Sequence, residues 1–168
     1  MSLISLLACG VMFAGSTYPY SDEYINNVRK EAEKQVIRYK NHPSLALWCG
    51  NNEIYDGMRY WGRDKKYENP AIWNEMKEGY NKLFHQLLPS IVKEFDADRF
   101  YMHGSPFEAN WGRPHSWKIA DSHNWGTWYG QKPFESLDTE LPRFMSEYGF
   151  QAFPEMKTIA TFAEPKDY

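Results

Sequence analysis

Leu45-Ala46-Leu47-Trp48-Cys49 forms a near-continuous apolar run that ends in Gly50-Asn51-Asn52-Glu53. With no polar alternation, such a run fits a parallel strand covered on both faces better than a half-exposed antiparallel one. Parallel neighbours need long crossovers, so this stretch commits the chain to an α/β arrangement with helices between strands. The Gly-Asn-Asn that follows is turn chemistry. It places Glu53 just past the carboxyl end of the strand, the position where α/β sheets bind ligands.

The flanking sequence supplies the other elements. Ser21 caps a helix predicted to run to about Lys40, with Asp22 and Glu23 in the first turn and Ile25, Val28, Ala32, Val36 and Tyr39 on one stripe. His42-Pro43 ends it. Ile54 to Glu68 reads as a long polar and aromatic loop, and Asn69-Pro70 opens a second helix carrying Ile72, Trp73, Met76, Tyr80, Leu83, Phe84 and Leu87. Pro89 starts a new turn of helix. Further strands are expected at residues 4–14, Arg99 to Met102, near Trp117 to His123, and Arg143 to Ser146. Trp-Gly recurs at positions 61, 111 and 125 without a constant interval, so there is no internal repeat.

Composition narrows the function classes. At 168 residues the chain can bury one ordinary core, and 42% hydrophobic with 24% charged residues is a globular balance. Nineteen Lys plus Arg against 22 Asp plus Glu give a net charge of −3 with no basic cluster, which argues against nucleic acid as a partner. Cys9 and Cys49 lack metal-site spacing and could form at most one disulfide. Leu3 to Cys9 resembles a short signal or lipid-anchor segment, but no Lys or Arg precedes it and a buried strand is the favoured reading. No other stretch approaches the length of a membrane span. The unusual number is 17% aromatic residues, a surplus suited to flat, partly apolar ligands such as pyranose rings or to a large protein contact.

A second glutamate, Glu147, closes the β-prone segment Arg143-Phe144-Met145-Ser146 and mirrors Glu53. Two facing carboxyl groups about 5 Å apart can cleave a glycosidic bond with retention, one holding a proton for the leaving oxygen and the other attacking the anomeric carbon. Strand-end glutamates also cap helices or face water, so the pair alone does not decide the matter.

Four stretches add weight: Phe13-Ala14-Gly15-Ser16-Thr17-Tyr18-Pro19, Asn41-His42-Pro43-Ser44 running on to Glu53, Asp121-Ser122-His123-Asn124-Trp125-Gly126, and Phe144 to Gln151. With them the chain resembles the β-mannosidase branch of glycoside hydrolase family 2. The resemblance implies part of a (β/α)8 TIM barrel, roughly strands 3 to 7, incomplete because a whole barrel takes about 250 residues. It implies Glu53 as general acid/base and Glu147 as nucleophile. It also implies Asn52 as a hydrogen-bond partner of the sugar 2-hydroxyl, Trp61 as a subsite platform, and His123 and Trp125 as pocket lining. Each has a plainer alternative: a turn residue for Asn52, and packing for the others. The substrate implied is a β-mannoside or related oligosaccharide, with no cofactor and no metal. A compartment is not implied beyond a periplasmic, secreted or lysosomal setting for a longer parent.

The chain departs from the family at Ala8-Cys9-Gly10-Val11, where a Trp-Gln-Asp-Phe-like stretch is usual. An incomplete barrel would expose strand edges, so self-association through those edges and little or no activity of these residues alone are expected. Three other readings stay open: a β-galactosidase or β-glucuronidase of the same family, a non-catalytic carbohydrate-binding module with the two glutamates apart, and a lipid-anchored protein beginning at Cys9. Tyr148 is expected to pack, Arg59 and Arg63 to be solvated loop charges, and Cys49 to be a small buried hydrophobe.

Overall fold

The computed structural model describes residues 13–107, the backbone of Ala109–Asn110, and residues 118–167. The strand expected over residues 4–14 therefore lies mostly outside the described residues. Its last two positions, Phe13 and Ala14, are seen: Phe13 is buried, and Ala14 forms a parallel bridge with Asn52.

Helix α1 spans Asp22–Tyr39, and the Ser21 side chain accepts the Tyr24 N–H at its start. Its apolar stripe turns inward, with Val28 and Val36 buried and Ile25, Ala32 and Tyr39 packed at the margin. Strand β1 is Trp48–Cys49, parallel to β2 at Tyr101–Met102. The apolar run therefore yields a doubly covered strand, but only its last two residues form the ladder. Beyond it, Asn52 bridges Ala14 on one side and Ser105 on the other, both in parallel.

The segment expected as a long loop is instead structured. Helix α2 occupies Ile54–Tyr60, followed by a 3-10 turn at Arg63–Lys66. Asn51 causes this: its Oδ1 accepts the Ile54 N–H at 3.0 Å, while its amide donates to the His103 carbonyl at 2.6 Å and the Tyr80 hydroxyl at 3.3 Å. Asn51 is fully buried. A residue that looked like turn chemistry thus starts a helix by satisfying a free N–H.

Helix α3, Pro70–Tyr80, starts where Asn69 and its N1 proline predict, and Asn69 accepts the Ala71 N–H. It runs without a break through a π-helical stretch, Asn81–Leu87, into helix α4, Leu88–Phe95. Pro89 lacks an N–H and would clash with a regular preceding turn, so the widened turns before it keep the helix continuous. Helix α4 packs on α1, and Leu83, Phe84, Leu87, Leu88, Ile91 and Val92 close the core over Trp48 and Phe13. Each fully buried aliphatic or aromatic side chain there stabilises by roughly 1.5–3 kcal/mol.

A second parallel sheet holds β3 (Ala109–Asn110), β4 (Ser122–Asn124) and β5 (Met145–Tyr148) in that order. The strand expected near Trp117 begins only at Ser122. Among the described residues no α-helix lies between β2 and β4 or between β4 and β5. Gly104, Pro106, Gly126, Gly130 and Pro133 interrupt those connections, and a 3-10 turn at Phe134–Asp138 is the regular element found there. Beyond β5 come a four-residue helix, α5 (Met156–Ile159), and a 3-10 turn at Pro165–Asp167. Among the described residues no helix is long and apolar enough to cross a membrane.

Candidate active site

The backbone around Glu53 is fixed from three sides. Its N–H donates to the Ser105 carbonyl at 2.7 Å, its carbonyl accepts Gly57 N–H at 2.9 Å, and the preceding Asn52 N–H donates to the Phe13 carbonyl at 2.9 Å. Glu53 takes a left-handed conformation, φ 58°, as the residue before α2. That conformation is uncommon for a residue with a Cβ and is held by the surrounding bonds. Its carboxylate is carried out of the strand line toward β4.

Glu147 arrives from the other sheet. It pairs in register with His123 across the β4–β5 ladder, just past an irregularity at Ser122/His123. It therefore sits within β5 rather than beyond a strand end at Ser146. Trp125 Nε1 donates to Glu147 Oε1 at 3.1 Å.

His123 stands between the two acids. Its Nδ1 is 2.9 Å from Glu53 Oε1 and 3.6 Å from Glu147 Oε2, and the three groups offer atoms all within 4.8 Å of one another. A binding module was expected to keep the glutamates apart, and they are together. The 2.9 Å contact between Nδ1 and Glu53 Oε1 is a hydrogen bond. The ring is almost fully buried, and its Nε2 lies 2.9 Å from Ser105 Oγ.

Behind the histidine is a polar cluster that the sequence did not single out. Asp121, buried, accepts Ser105 Oγ at 2.5 Å and Ser146 Oγ at 2.6 Å on one oxygen, and the Phe107 N–H at 2.8 Å on the other. Single serines and an aspartate near strand ends have no periodic signature. Asp121 lies just before β4, two residues from His123.

An open cleft of about 880 Å³ lies over the two acids, lined by Glu53, Trp61, Trp125, Trp128, Tyr129, Glu147, Tyr148, Gly149, Phe150 and Gln151. Trp61 and Trp125 line the cleft, whereas Asn52 and His123, the latter expected as pocket lining, do not. Trp128 and Phe150, edge to face at 4.9 Å, add an aromatic wall that the sequence reading missed. Tyr148 is not packed, standing 64% exposed on the cleft. Arg63 is no solvated charge either: it donates to the Gly15 carbonyl and lies 5.1 Å from the Trp61 ring, whereas Arg59 is exposed, on α2 rather than in a loop, and donates to the Tyr55 hydroxyl. Cys49 is buried, its thiol pushed up to about 12 by burial first and by the Asp121 charge second.

No protein-family model matches the chain. Beta-mannosidase B of Neosartorya fischeri is 36% identical over 159 residues, which is 91% of this chain and 18% of that protein. Beta-mannosidase B of Aspergillus niger is 35% identical with the same shares. The crystal structure of beta-D-mannosidase from Dictyoglomus thermophilum superposes with a TM-score of 0.73 at 34% identity, over 93% of this chain and 18% of that one. The chain thus spans 18% of the length of the curated relatives it matches.

Proposed function

We propose that this chain, which is homologous to the β-mannosidases over nine-tenths of its length, carries both catalytic carboxylates of a retaining β-mannoside hydrolase of glycoside hydrolase family 2. The observation that supports the reading most is the convergence of Glu53 and Glu147, from separate sheets, to within 4.8 Å of a shared histidine nitrogen and of each other. That spacing suits direct attack by one carboxylate, because an inverting pair stands about 6.5–9.5 Å apart to admit a water.

In this reading Glu53 protonates the departing glycosidic oxygen while Glu147 attacks the anomeric carbon. The Trp125 indole N–H holds one oxygen of Glu147, which leaves the other free to attack. Trp61, Trp125 and the Trp128–Phe150 wall offer ring faces for the C–H face of a pyranose. The parallel strands are assigned to part of a (β/α)8 barrel. A full-length β-mannosidase would supply the rest of the pocket, so little turnover is assigned to these 168 residues alone.

The test uses p-nitrophenyl β-mannoside, β-galactoside and β-glucuronide with a protein of the relatives' length carrying this segment. The β-mannoside should be preferred, its first-formed sugar should be the β-anomer, and Glu147→Gln or Glu53→Gln should each lower kcat by ~10⁴. Activity retained in Glu147→Gln would overturn the assignment. Turnover by the 168 residues alone, lost in Glu147→Gln, would overturn only the incomplete-pocket part.

A further inference from the structure

We infer that Asp121 and Ser105 fix the tautomer of His123 so that Glu53 Oε1 and His123 Nδ1 share a single proton between them. The catalytic meaning of this rests on the hydrolase reading above; the proton assignment does not. It makes His123 a positioning residue that keeps the proton of the acid in place, rather than a contact to the sugar.

A serine hydroxyl carries one hydrogen and a carboxylate carries none. Ser105 Oγ lies 2.5 Å from Asp121 Oδ2, a separation at which two acceptors with no hydrogen between them would repel. The Ser105 hydrogen therefore points to Asp121. Ser146 and the Phe107 N–H also donate to that carboxylate, which fits its ionised form.

With its one hydrogen committed, Ser105 Oγ can only accept from His123 Nε2 across their 2.9 Å contact. Nε2 is then the protonated nitrogen. In the neutral ring Nδ1 is bare, and it stands 2.9 Å from Glu53 Oε1. A bare nitrogen facing a bare carboxylate at that distance is repulsive, so one proton must lie between them. It sits either on Glu53 donating to Nδ1 or on Nδ1 donating to Glu53. Both forms contain the same single hydrogen.

That hydrogen is the one a general acid must deliver. When the glycosidic C–O bond breaks, the leaving oxygen takes the proton from Glu53 and keeps the bonding electron pair, while a Glu147 oxygen bonds the anomeric carbon. Glu53 is left ionised beside a neutral His123 that still carries hydrogen on Nε2. Glu147 Oε2, 3.6 Å from Nδ1, is too far to take the proton in a hydrogen bond. The near-total burial of His123 keeps water from supplying an alternative partner.

The test is nitrogen NMR on the full chain with 15N-labelled histidine, the His123 signals being identified by their loss in His123→Gln. The expected result is a proton on Nε2 throughout, and never the neutral form protonated on Nδ1 alone. In Asp121→Asn the new amide can donate to Ser105, which frees its hydroxyl to donate to Nε2. The tautomer ratio should then reverse by more than about tenfold, equivalent to one ordinary hydrogen bond. Where that variant does not fold, Ser105→Ala decides: the Nε2–H preference should weaken by about tenfold. A neutral ring protonated on Nδ1 in the unaltered chain, or a ratio unmoved by the substitution that folds, would overturn the inference. This readout needs no turnover, so the two readings fail separately. A wrong tautomer leaves hydrolysis standing, and uncleaved β-mannosides leave the tautomer standing.

Discussion

Replacing Asp96 by alanine should unfold the end of the molecule remote from the carboxylates first. Asp96 closes α4, and its Oδ2 accepts both the Trp48 indole N–H and the Arg99 Nε–H at 2.7 Å. Arg99 in turn donates to the carbonyls of Lys40 and Leu45, so one carboxylate organises the end of α1, the entry to β1 and the entry to β2. Trp48 is buried, and alanine would leave its N–H without a partner at a cost of about 1–3 kcal/mol. The lost bond to Arg99 adds less, because that side chain is 23% exposed and water can replace the carboxylate. Together the change is about 3 kcal/mol, a fall in Tm of roughly 6–12 °C for a chain of this size.

Urea unfolding followed by circular dichroism measures it directly. A loss below ~0.5 kcal/mol would refute the view that this carboxylate joins the three segments. The pH dependence gives a second check. Burial raises the Asp96 pKa, but the hydrogen bonds from Arg99 and Trp48 outweigh it and hold the group below its ordinary value of 3.8. Its contribution is therefore fully present above that value and is lost as pH falls through the depressed one. Asp96→Ala should flatten the curve there.

Three further outcomes follow from buried groups. Cys49, its thiol near 12, should resist iodoacetamide at pH 8 in the folded chain and react in urea, as peptide mass mapping would show; native labelling would refute its burial. His103 is held down to about 4 from 6.5, by burial first and then by His85, so the unfolded chain binds the extra proton between those values. Stability should fall as pH drops from 6.5 to 4, and His103→Phe should lessen that fall; an unchanged slope would refute it. Gly50→Ala would place a Cβ 2.5 Å from the Tyr101 hydroxyl and 2.6 Å from the His103 carbonyl. Backbone cannot yield there easily, so a loss of ~2 kcal/mol or more is expected in the same urea assay, and a neutral result would refute the close approach.

The sequence was legible where one local interaction dominates. Ser21 and Asn69-Pro70 start helices because each satisfies or removes free N–H groups at a first turn, and that chemistry needs no tertiary partner. The apolar run before Glu53 announced a covered strand because it has no polar alternation. Helix α2 was hidden because Asn51, whose side chain accepts its first N–H, lies three residues before the first helical residue and its other bonds go to Tyr80 and His103, remote in the chain. The two glutamates could be picked out by resemblance, yet their meeting around His123 depends on two strands aligning. The Asp121–Ser105–Ser146 cluster is tertiary through and through: three polar residues that gain meaning only when three strand ends converge.

Glu53 holds its left-handed backbone angle without glycine's freedom, a strain of about 1–2 kcal/mol. Glycine here would release that strain, but it would delete the side chain proposed to act and leave His123 Nδ1 without its 2.9 Å partner. The two effects are of similar size and opposite sign, so a library screened for heat resistance alone has little to gain from Glu53→Gly, and one screened for turnover should retain the glutamate.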